Sequence, residues 1–284
     1  MSDFDTTPPI GPALVTGATS GLGREVATAL AERGWTVLVH GRDEQRCARV
    51  VAELRAGGHR AHPYLADLGS LRECAELAQR VAADHPSLGL VVNNAGVGFG
   101  ADKRRREVST DGYELRLAVN YLAPVVITRM LRAVLRAAGQ AQVLNIGSVG
   151  QSPLDLNDPQ FTRGYDGSEA YMRSKFALAA FTFATAAQFA QDGIKVNCCH
   201  PATFMDTAMT HDSGISPWTS VAEGVESVLT AVRAGQAGQT GLFFNGTRTA
   251  RASQKAYDRG LQQRLSELTS TLINRVEGAE EAVW

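Results

Sequence analysis

The sequence has no large imbalance of charge and no long apolar stretch. Its 28 lysine and arginine residues are matched by 29 aspartate and glutamate residues. Because no field of one sign results, neither nucleic acid nor an anionic membrane is favoured as a partner. No apolar run approaches the roughly 18 residues that predict a membrane span. Residues 1–17 also lack the basic start and apolar stretch of a signal peptide.

Cysteine is scarce, and none of it is spaced as C-x-x-C. The four cysteines are Cys47, Cys74, Cys198 and Cys199. The adjacent pair lies in the strand-like run IKVNCCH, where buried thiols are the favoured interpretation and a zinc site or redox pair is the alternative. We therefore predict no metal site and a reduced, cytoplasmic protein.

Short β-rich segments alternate along the chain with longer helical segments. The predicted strands are 13–16, 36–40, 61–64, 90–93, 142–146, 195–199 and 241–244. The predicted helices are 24–33, 44–56, 71–84, 112–138 and 169–191. This pattern predicts an α/β fold, a Rossmann-like doubly wound parallel sheet of about seven strands with helices on both faces. We expect one domain over residues 1–284, with a flexible arm at 1–11 and a helical C-terminal extension at 250–284.

Two irregular segments, 150–167 and 202–220, follow predicted strands at their carboxyl ends, where open α/β sheets bind ligands. Plain surface loops are the alternative. Apolar residues in these regions that could line a pocket suggest an apolar or aromatic substrate, although such residues can also simply pin a loop. They are Phe99, Leu154, Phe161, Phe204, Met205, Met209 and Trp218.

A glycine turn joins the first predicted strand to the first helix, with Gly17, Gly21 and Gly23 in register. Glycines let the backbone approach a pyrophosphate, and the helix N-terminus supplies N–H groups and a positive dipole end. The turn therefore predicts dinucleotide binding. A tight structural turn is the alternative.

The end of the second strand indicates which dinucleotide is bound. NAD sites usually carry an acid there, but the run VHGR has none, and Arg42 could pair with a 2′-phosphate. Asp43 follows directly, and we interpret it as the cap of the next helix. NADP(H) is therefore favoured over NAD(H).

Tyr171 and Lys175 lie four residues apart in a predicted helix, so both side chains leave the same face. A lysine ammonium beside a phenol favours the phenolate, and we expect it to lower the pKa of Tyr171 from about 10. Ser148 follows the apolar run VLNIG upstream. An ordinary half-exposed pair and a turn-capping serine are the structural alternatives.

Together these residues resemble the short-chain dehydrogenase/reductase family, over roughly residues 14–207. The narrower resemblance, over 147–177, is to retinol-dehydrogenase-like and carbonyl-reductase-like members. The glycine motif is accompanied by the run NNAG at 93–96 and by His200-Pro201. The resemblance implies a catalytic tetrad of Asn120, Ser148, Tyr171 and Lys175. The implied cofactor-binding residues are Thr16, Gly17, Thr19, Ser20, Gly21, Leu22, Gly23, Arg42, Asp67, Leu68, Asn93, Ala95, Gly96, Tyr171, Lys175, Pro201, Thr203 and Thr207. Two departures are Ala202, where the family has glycine, and Ser20, where NADP-binding members carry a basic residue.

The resemblance implies hydride transfer between NADP(H) and a carbonyl or alcohol. Tyr171 would act as the acid, Ser148 would bind the reacting oxygen, and Lys175 would hold the cofactor ribose. Asn120 would hold a water beside Lys175, although it could merely satisfy backbone groups at a helix kink. The alternatives are an NAD-dependent alcohol dehydrogenase and a non-catalytic NADP-binding sensor or scaffold.

Assembly is left open between monomer and homodimer. The helix predicted over 169–191 is apolar nearly all round, which indicates burial on both sides, and a partner subunit could supply one of them. The preceding helix carries Arg129, Arg132 and Arg136 at helical spacing. Such a charged face argues against an apolar interface.

Overall fold

A central sheet of eight strands organises the computed structural model, which describes residues 9–275. The strands are β1 (Ala13–Val15), β2 (Val37–Gly41), β3 (Ala61–Leu65), β4 (Leu90–Asn93), β5 (Gln142–Ile146), β6 (Lys195–His200), β7 (Phe243–Asn245) and β8 (Arg248–Ala250). They are ordered β3-β2-β1-β4-β5-β6-β7-β8, and every neighbouring pair is parallel except β7 and β8. Strands β2 and β3 are added on one side of β1, and β4 and the later strands are added on the other side. This switch between β1 and β4 creates a crevice at the carboxyl ends of the two strands.

The predicted fold class is confirmed, but the strand number was one too low. The missed strand, β8, is only three residues long and fully exposed, so it has no apolar pattern to reveal it. It forms a hairpin with β7 through a two-residue turn in which Gly246 has a φ of +62°. Glycine at the first position of a two-residue turn, here Gly246 before Thr247, is a recognised hairpin signal that could have identified it.

Ten helices occur among the described residues, and most cover the two faces of the sheet. They are α1 (Gly21–Glu32), α2 (Glu44–Ala56), α3 (Leu71–Asp84), α4 (Leu115–Leu117), α5 (Ala123–Met130), α6 (Arg132–Ala137), α7 (Gly167–Gln188), α8 (Ala208–Asp212), α9 (Val221–Gln236) and α10 (Arg259–Ile273). Between residues 9 and 275, no helix combines the length and the apolarity needed to cross a membrane.

Two helical predictions need correction. The helix expected over 112–138 is divided into α4, a π-helical turn (Ala118–Leu122), α5 and α6. Helix α9 was not predicted at all, although its start carries a capping box: Ser220 accepts from the Glu223 amide, and the Glu223 side chain accepts from the Ser220 amide. The capping box was therefore the signal that could have located α9.

The core forms one apolar layer on each face of the sheet. Successive residues of β1 show why, because Ala13 and Val15 face one layer, Leu14 faces the other, and all three are fully buried. The four cysteines are free and buried as well. Burial raises the pKa of Cys198 to about 12, so the buried-thiol interpretation of the cysteine pair is confirmed.

Helix α7 is covered by the chain's own C-terminal segment on the side away from the sheet. The Phe183 ring stacks on Tyr257 with a centroid distance of 4.2 Å, and α10 packs against α7. The Tyr121 hydroxyl lies 2.6 Å from Thr269 Oγ1, which joins α10 to the π-helical turn. The apolar character of α7 therefore does not require a partner subunit. Within the predicted C-terminal extension, a short 3₁₀ helix (Gln254–Tyr257) precedes α10, and the stretch before it is irregular. The predicted arm is described only from residue 9 onward, and residues 276–284 lie outside the described range.

Candidate active site

The glycine turn after β1 is shaped by close backbone approach. Gly17 and Gly21 have φ angles of +65° and +50°, which disfavour any side chain. A Cβ added at Gly23 would overlap the Gly17 carbonyl oxygen, and one added at Gly17 would lie 3.0 Å from the Ala95 Cα atom. Each of the three glycines is thus required by the local geometry.

Two small polar side chains hold this turn against the loop after β4. Thr16 Oγ1 accepts hydrogen bonds from the amides of Asn94 (2.9 Å) and Ala95 (3.0 Å). Asn94 Nδ2 donates to the carbonyl oxygens of Thr16 (2.8 Å) and Gly17 (3.3 Å). The predicted residue at this place is Asn93, but the side chain that contacts the turn is that of Asn94. The Asn93 side chain is buried in the core, where it donates to Thr128 and Asn145, so it does not line the site.

His40, at the end of β2, supports the same turn and was not predicted. Its Nδ1 atom accepts from the Gly17 amide at 3.1 Å, which places the ring proton on Nε2, 3.2 Å from the Ala66 carbonyl oxygen. Burial lowers the pKa of His40 to about 4, so the ring is neutral near pH 7.

The start of α1 is prepared for an anion. Side chains cap α2, α3, α7, α9 and α10, whereas Ser20 makes no side-chain cap bond and the first turn of α1 carries no acid. Uncapped amides and the helix dipole favour a phosphate at this end. The glycine cradle and the uncapped helix together fit the diphosphate of a dinucleotide. The Leu22 side chain itself points into the core.

Beyond this cradle, the connection from β2 to α2 consists of Arg42 and Asp43. Arg42 is exposed and makes no hydrogen bond or ion pair within residues 9–275. Asp43 caps α2 by accepting from the Arg46 amide at 2.9 Å, as the sequence analysis expected. A surface cavity beside Thr19 adds three arginines that sequence reasoning missed; its lining residues are Thr19, Arg24, Arg46, Arg49 and Val50.

The adenine-side candidates Asp67 and Leu68 follow β3. Asp67 accepts from the Gly69 amide at 2.9 Å, and its own amide donates to Glu73. The Leu68 side chain is buried in the core, so only its backbone could meet a ligand. The structure therefore leaves the Asp67 carboxylate partly accessible and the Leu68 side chain inaccessible.

Three of the tetrad residues meet at the carboxyl end of β5. Ser148 follows that strand, is buried, and hydrogen-bonds both the Gly150 amide (3.0 Å) and the Tyr171 hydroxyl. Tyr171 and Lys175 lie one turn apart on α7, and the Lys175 Nζ atom lies 5.7 Å from the centre of the Tyr171 ring. The Nζ atom donates to the Ile146 carbonyl oxygen at 2.8 Å.

The predicted lowering of the pKa of Tyr171 by Lys175 is wrong, because the net shift is upward and Lys175 is not among its causes. Burial raises the pKa of Tyr171, and only the hydrogen bond with Ser148 opposes this. Burial also lowers the pKa of Lys175 to about 8, which weakens the ammonium as a source of stabilisation for a phenolate. The tyrosine is thus a protonated phenol near neutral pH, and the lysine can exchange its proton there.

Asn120 lies in the π-helical turn, at the position where the helix pattern breaks. Its Oδ1 atom accepts from the Val97 amide (2.8 Å), and its Nδ2 atom donates to the Val97 carbonyl oxygen (3.0 Å) and to Ser174 (3.0 Å). A Cβ added at Gly96 would lie 3.1 Å from Asn120 Oδ1 and 3.6 Å from Lys175 Nζ. The tetrad is therefore assembled beside Gly96, with Asn120 joining the loop after β4 to α7.

The segment 202–220 folds over the glycine turn. Thr203 contacts His200 at 3.1 Å, and the chain pairs with itself where Thr219 Oγ1 donates to the Thr203 carbonyl oxygen. Within the segment, Thr207 lies against Gly21: a Cβ added at Gly21 would be 3.2 Å from the methyl group of Thr207. Pro201 is buried beneath the segment.

The apolar substrate-side candidates divide into two groups. The Phe99 ring stands edge-on to Tyr171 at 5.2 Å, and Met209 lies against Gly96 and Gly98, so these two residues border the site. The rest act within their loops: Leu154 and Phe161 are buried, Met205 packs on the core, and Phe204 meets the exposed Trp218 edge-on. Val149, directly after Ser148, is half exposed and was not predicted.

Comparison with known proteins identifies the family. A sequence model described as short chain dehydrogenase matches residues 12–216, which is most of the chain. The chain belongs to the short-chain dehydrogenase family.

This short-chain dehydrogenase is similar to several characterised relatives. It is 26% identical to human retinol dehydrogenase 13, with 92% of this chain and 83% of that protein covered. It is 38% identical to mouse polyprenol dehydrogenase over 62% of this chain and 56% of that protein. Among solved structures, the Pseudomonas aeruginosa RhlG/NADP active-site complex is 28% identical, with a TM-score of 0.69 over 86% of this chain and 97% of that chain. The family and the fold are therefore established independently of the site geometry.

Proposed function

We propose that the protein is an NADP(H)-dependent carbonyl reductase that acts on an apolar or aromatic ketone or aldehyde. One observation carries the proposal: Ser148, Tyr171 and Lys175 meet at the end of β5, beside the glycine cradle. In that site a bound nicotinamide would supply the hydride for reduction or accept it in oxidation. The cradle at Gly17, Gly21 and Gly23 would hold its diphosphate.

Tyr171 is the proton donor to the carbonyl oxygen. Its raised pKa keeps the phenol protonated at neutral pH, which suits reduction better than oxidation. Ser148 stabilises the charge that develops on the same oxygen, since its hydroxyl lies beside the phenol. Lys175, with a pKa of about 8, supplies the proton that restores the phenol of Tyr171 near neutral pH.

Arginines in the β2–α2 connection and in the first turns of α2 support NADP(H). Arg42 has no acidic partner within residues 9–275, and Asp43 is already engaged as a helix cap. Arg46 and Arg49 line the adjacent cavity and add positive charge to it. Arginine suits a 2′-phosphate because its guanidinium forms paired, charge-assisted hydrogen bonds.

An apolar substrate is supported by the residues around the phenol. Phe99 and Met209 border it, and the exposed Val149 follows Ser148. Two of the relatives are named as dehydrogenases of retinol and of polyprenol, which are apolar alcohols. We keep the cytoplasm as the expected location, because all four thiols are free.

The proposal is tested by following NADPH consumption against a panel of aldehydes, ketones and quinones. Tyr171→Phe is expected to lower kcat by roughly 10²- to 10⁴-fold, while the Kd for NADPH stays within a few-fold of the wild-type value. Tyr64→Phe is the matched control. Tyr64 lies on the far strand β3 and donates to Asp84 at the end of α3, so this variant should keep full activity. Equal rates in the Tyr171 variant and the wild type would rule out the proposed acid.

The same assay decides between cofactors. Arg42→Ala is expected to raise the KM for NADPH by about 10- to 100-fold, which corresponds to losing a hydrogen bond to a charged group, with little effect on the KM for NADH. Arg72→Ala, on the surface of α3, is the control. A wild-type preference for NADH would favour the alternative NAD-dependent alcohol dehydrogenase. Tight NADPH binding without turnover of any carbonyl or alcohol would favour the sensor or scaffold.

A further inference from the structure

A fully buried arginine lies one turn before Asn120. Arg116 is only 1% exposed, yet all three of its guanidinium nitrogens are hydrogen-bonded. Nε donates to the Gly98 carbonyl oxygen (2.9 Å), Nη1 to Tyr165 (2.9 Å) and Glu114 (3.3 Å), and Nη2 to Glu107 (2.7 Å). Burial opposes its charge, but the hydrogen bond with Glu107 and the neighbouring acids raise the net pKa of Arg116. Burying such a charge is costly unless every donor is paired, so its place in the fold calls for a reason.

Arg116 and Asn120 grip consecutive residues of the loop after β4. They lie four residues apart and therefore on one helix face. Asn120 binds both the amide and the carbonyl oxygen of Val97, and Arg116 binds the carbonyl oxygen of Gly98. The loop backbone is thus held at three adjacent polar groups, and the residue that follows it is Phe99.

The position of Phe99 follows from this grip. Its ring stands edge-on to Tyr171, with a 5.2 Å centroid distance and an interplanar angle of 84°. Gly100 leaves room for the guanidinium, since a Cβ there would lie 2.5 Å from Arg116 Nη2. On the other side, a Cβ added at Gly167 would overlap the Phe99 carbonyl oxygen, so the start of α7 closes tightly on the loop.

Tyr165 connects the same arginine to the segment before α7. Its hydroxyl donates to Glu114 and accepts from Arg116, at 2.9 Å in both cases. Tyr165 lies two residues before α7, which carries Tyr171. The network therefore joins three parts of the site: the helix with Asn120, the loop with Phe99 and the helix with Tyr171.

We propose that Arg116 is a positioning residue for the reaction, which clamps the loop after β4 so that Phe99 is held against Tyr171 and shapes the substrate side of the phenol. The inference rests on the proposed function for its effect on turnover. Only a planar fork can bind Gly98, Tyr165 and Glu107 together, so lysine cannot replace arginine here. Without the clamp, Phe99 leaves the phenol, more of the phenol is exposed to water, and an apolar carbonyl loses one wall of its site.

The test compares Arg116→Lys with Phe99→Ala, and uses Arg132→Lys as the matched control. Arg132 pairs with Asp192 and stacks on Phe189, well away from the catalytic phenol along the chain and in the fold. Both test variants are expected to lose about 10- to 100-fold in kcat/KM for an aromatic aldehyde, while the Kd for NADPH stays unchanged. In both, the pKa of Tyr171, followed by NMR of isotope-labelled tyrosine, should fall towards its ordinary value of about 10.

A milder variant keeps the proposal testable if Arg116→Lys does not fold. Tyr165→Phe removes one link while keeping the ring, and should shift the Tyr171 titration in the same direction by a smaller amount. An unchanged titration and an unchanged kcat/KM in the test variants, or changes that Arg132→Lys reproduces, would overturn the clamp. A wild type that reduces no carbonyl would refute the proposed function instead, and the titration alone would then decide on the clamp.

Discussion

The glycine turn and the loop carrying Phe99 lie on opposite sides of one site, and they are held in different ways. On the glycine side, Thr16 and Asn94 bind backbone groups through short side chains, and the glycines allow direct contact between loops. On the Phe99 side, long side chains reach across the fold: Gln160 accepts from the Glu114 amide and Arg106, and Arg116 joins three segments.

This difference has consequences for substitution. Where the backbone itself makes the contact, the structure has no spare volume, so a substitution that adds a single methyl group is expected to have a severe effect. Where long side chains make the contact, each one can be replaced with a graded effect, so this side is better suited to adapting a pocket to different substrates. Three further predictions, from the largest effect to the smallest, test this contrast.

Gly23→Ala should have the largest effect. The added methyl group would overlap the Gly17 carbonyl oxygen, so the turn must open, and we expect NADPH affinity to fall by more than about 100-fold together with a stability loss of roughly 1–3 kcal/mol. Titration calorimetry and urea unfolding measure the two effects. Gly260→Ala, in the first turn of α10, is the control, because its added methyl group meets no backbone atom and lies 3.3 Å from Asp258 Oδ1. Wild-type affinity in Gly23→Ala would contradict the idea that this side has no spare volume.

The stability of the glycine side should depend on pH through His40. Its pKa is about 4 in the folded protein and 6.5 ordinarily, so the unfolded chain binds the proton first as the pH falls. The free energy of unfolding should therefore decrease from pH 6.5 to pH 4, by roughly 3 kcal/mol from this group alone. His200, whose pKa burial also lowers to about 4, adds a second contribution of the same sign.

His40→Asn isolates the contribution of His40 from those of His200 and of His85, whose pKa burial also lowers. Asparagine can accept from the Gly17 amide but does not titrate, so the roughly 3 kcal/mol that His40 contributes between pH 7.5 and pH 4 should disappear in urea unfolding experiments. Equal losses in the variant and the wild type would show that His40 does not carry the effect. This result tests the contrast between the two sides, because His40 belongs to the glycine side and yet its side chain reaches from β2 to Gly17 and Ala66.

The smallest effect is expected at Gln151, which extends the side-chain network to the C-terminal segment. Its Nε2 atom donates to the Ser148 carbonyl oxygen (2.7 Å), and its Oε1 atom accepts from the Ser253 amide (3.0 Å). Gln151→Leu should lower kcat only several-fold, and should cost about 1 kcal/mol of stability. Gln262→Leu also loses one bond to the backbone, at Ala256, and should cost similar stability without lowering kcat. A similar loss of kcat in both variants would remove Gln151 from the site.

Much of the fold could be predicted from local patterns. Buried strands read as continuous apolar runs, and the predicted bounds of β4, β5, α2 and α3 agree with the structure residue for residue. The failures also have local causes. Strand β8 is polar and three residues long, and the π-helical turn departs from the helical period at Asn120 without any glycine or proline at that residue.

The sequence by itself determined the family and placed a tight glycine turn between β1 and α1, because these depend on residue types at short, ordered spacings. Only the tertiary structure decided which groups are buried at the site, how their pKa values shift and which distant residues meet there. The pKa of Tyr171 is raised, contrary to expectation, because burial depends on everything packed around the phenol and not on the residue four positions away. Likewise, Arg116 and Tyr165 are 49 positions apart, and their contact exists only because the sheet brings the two segments together.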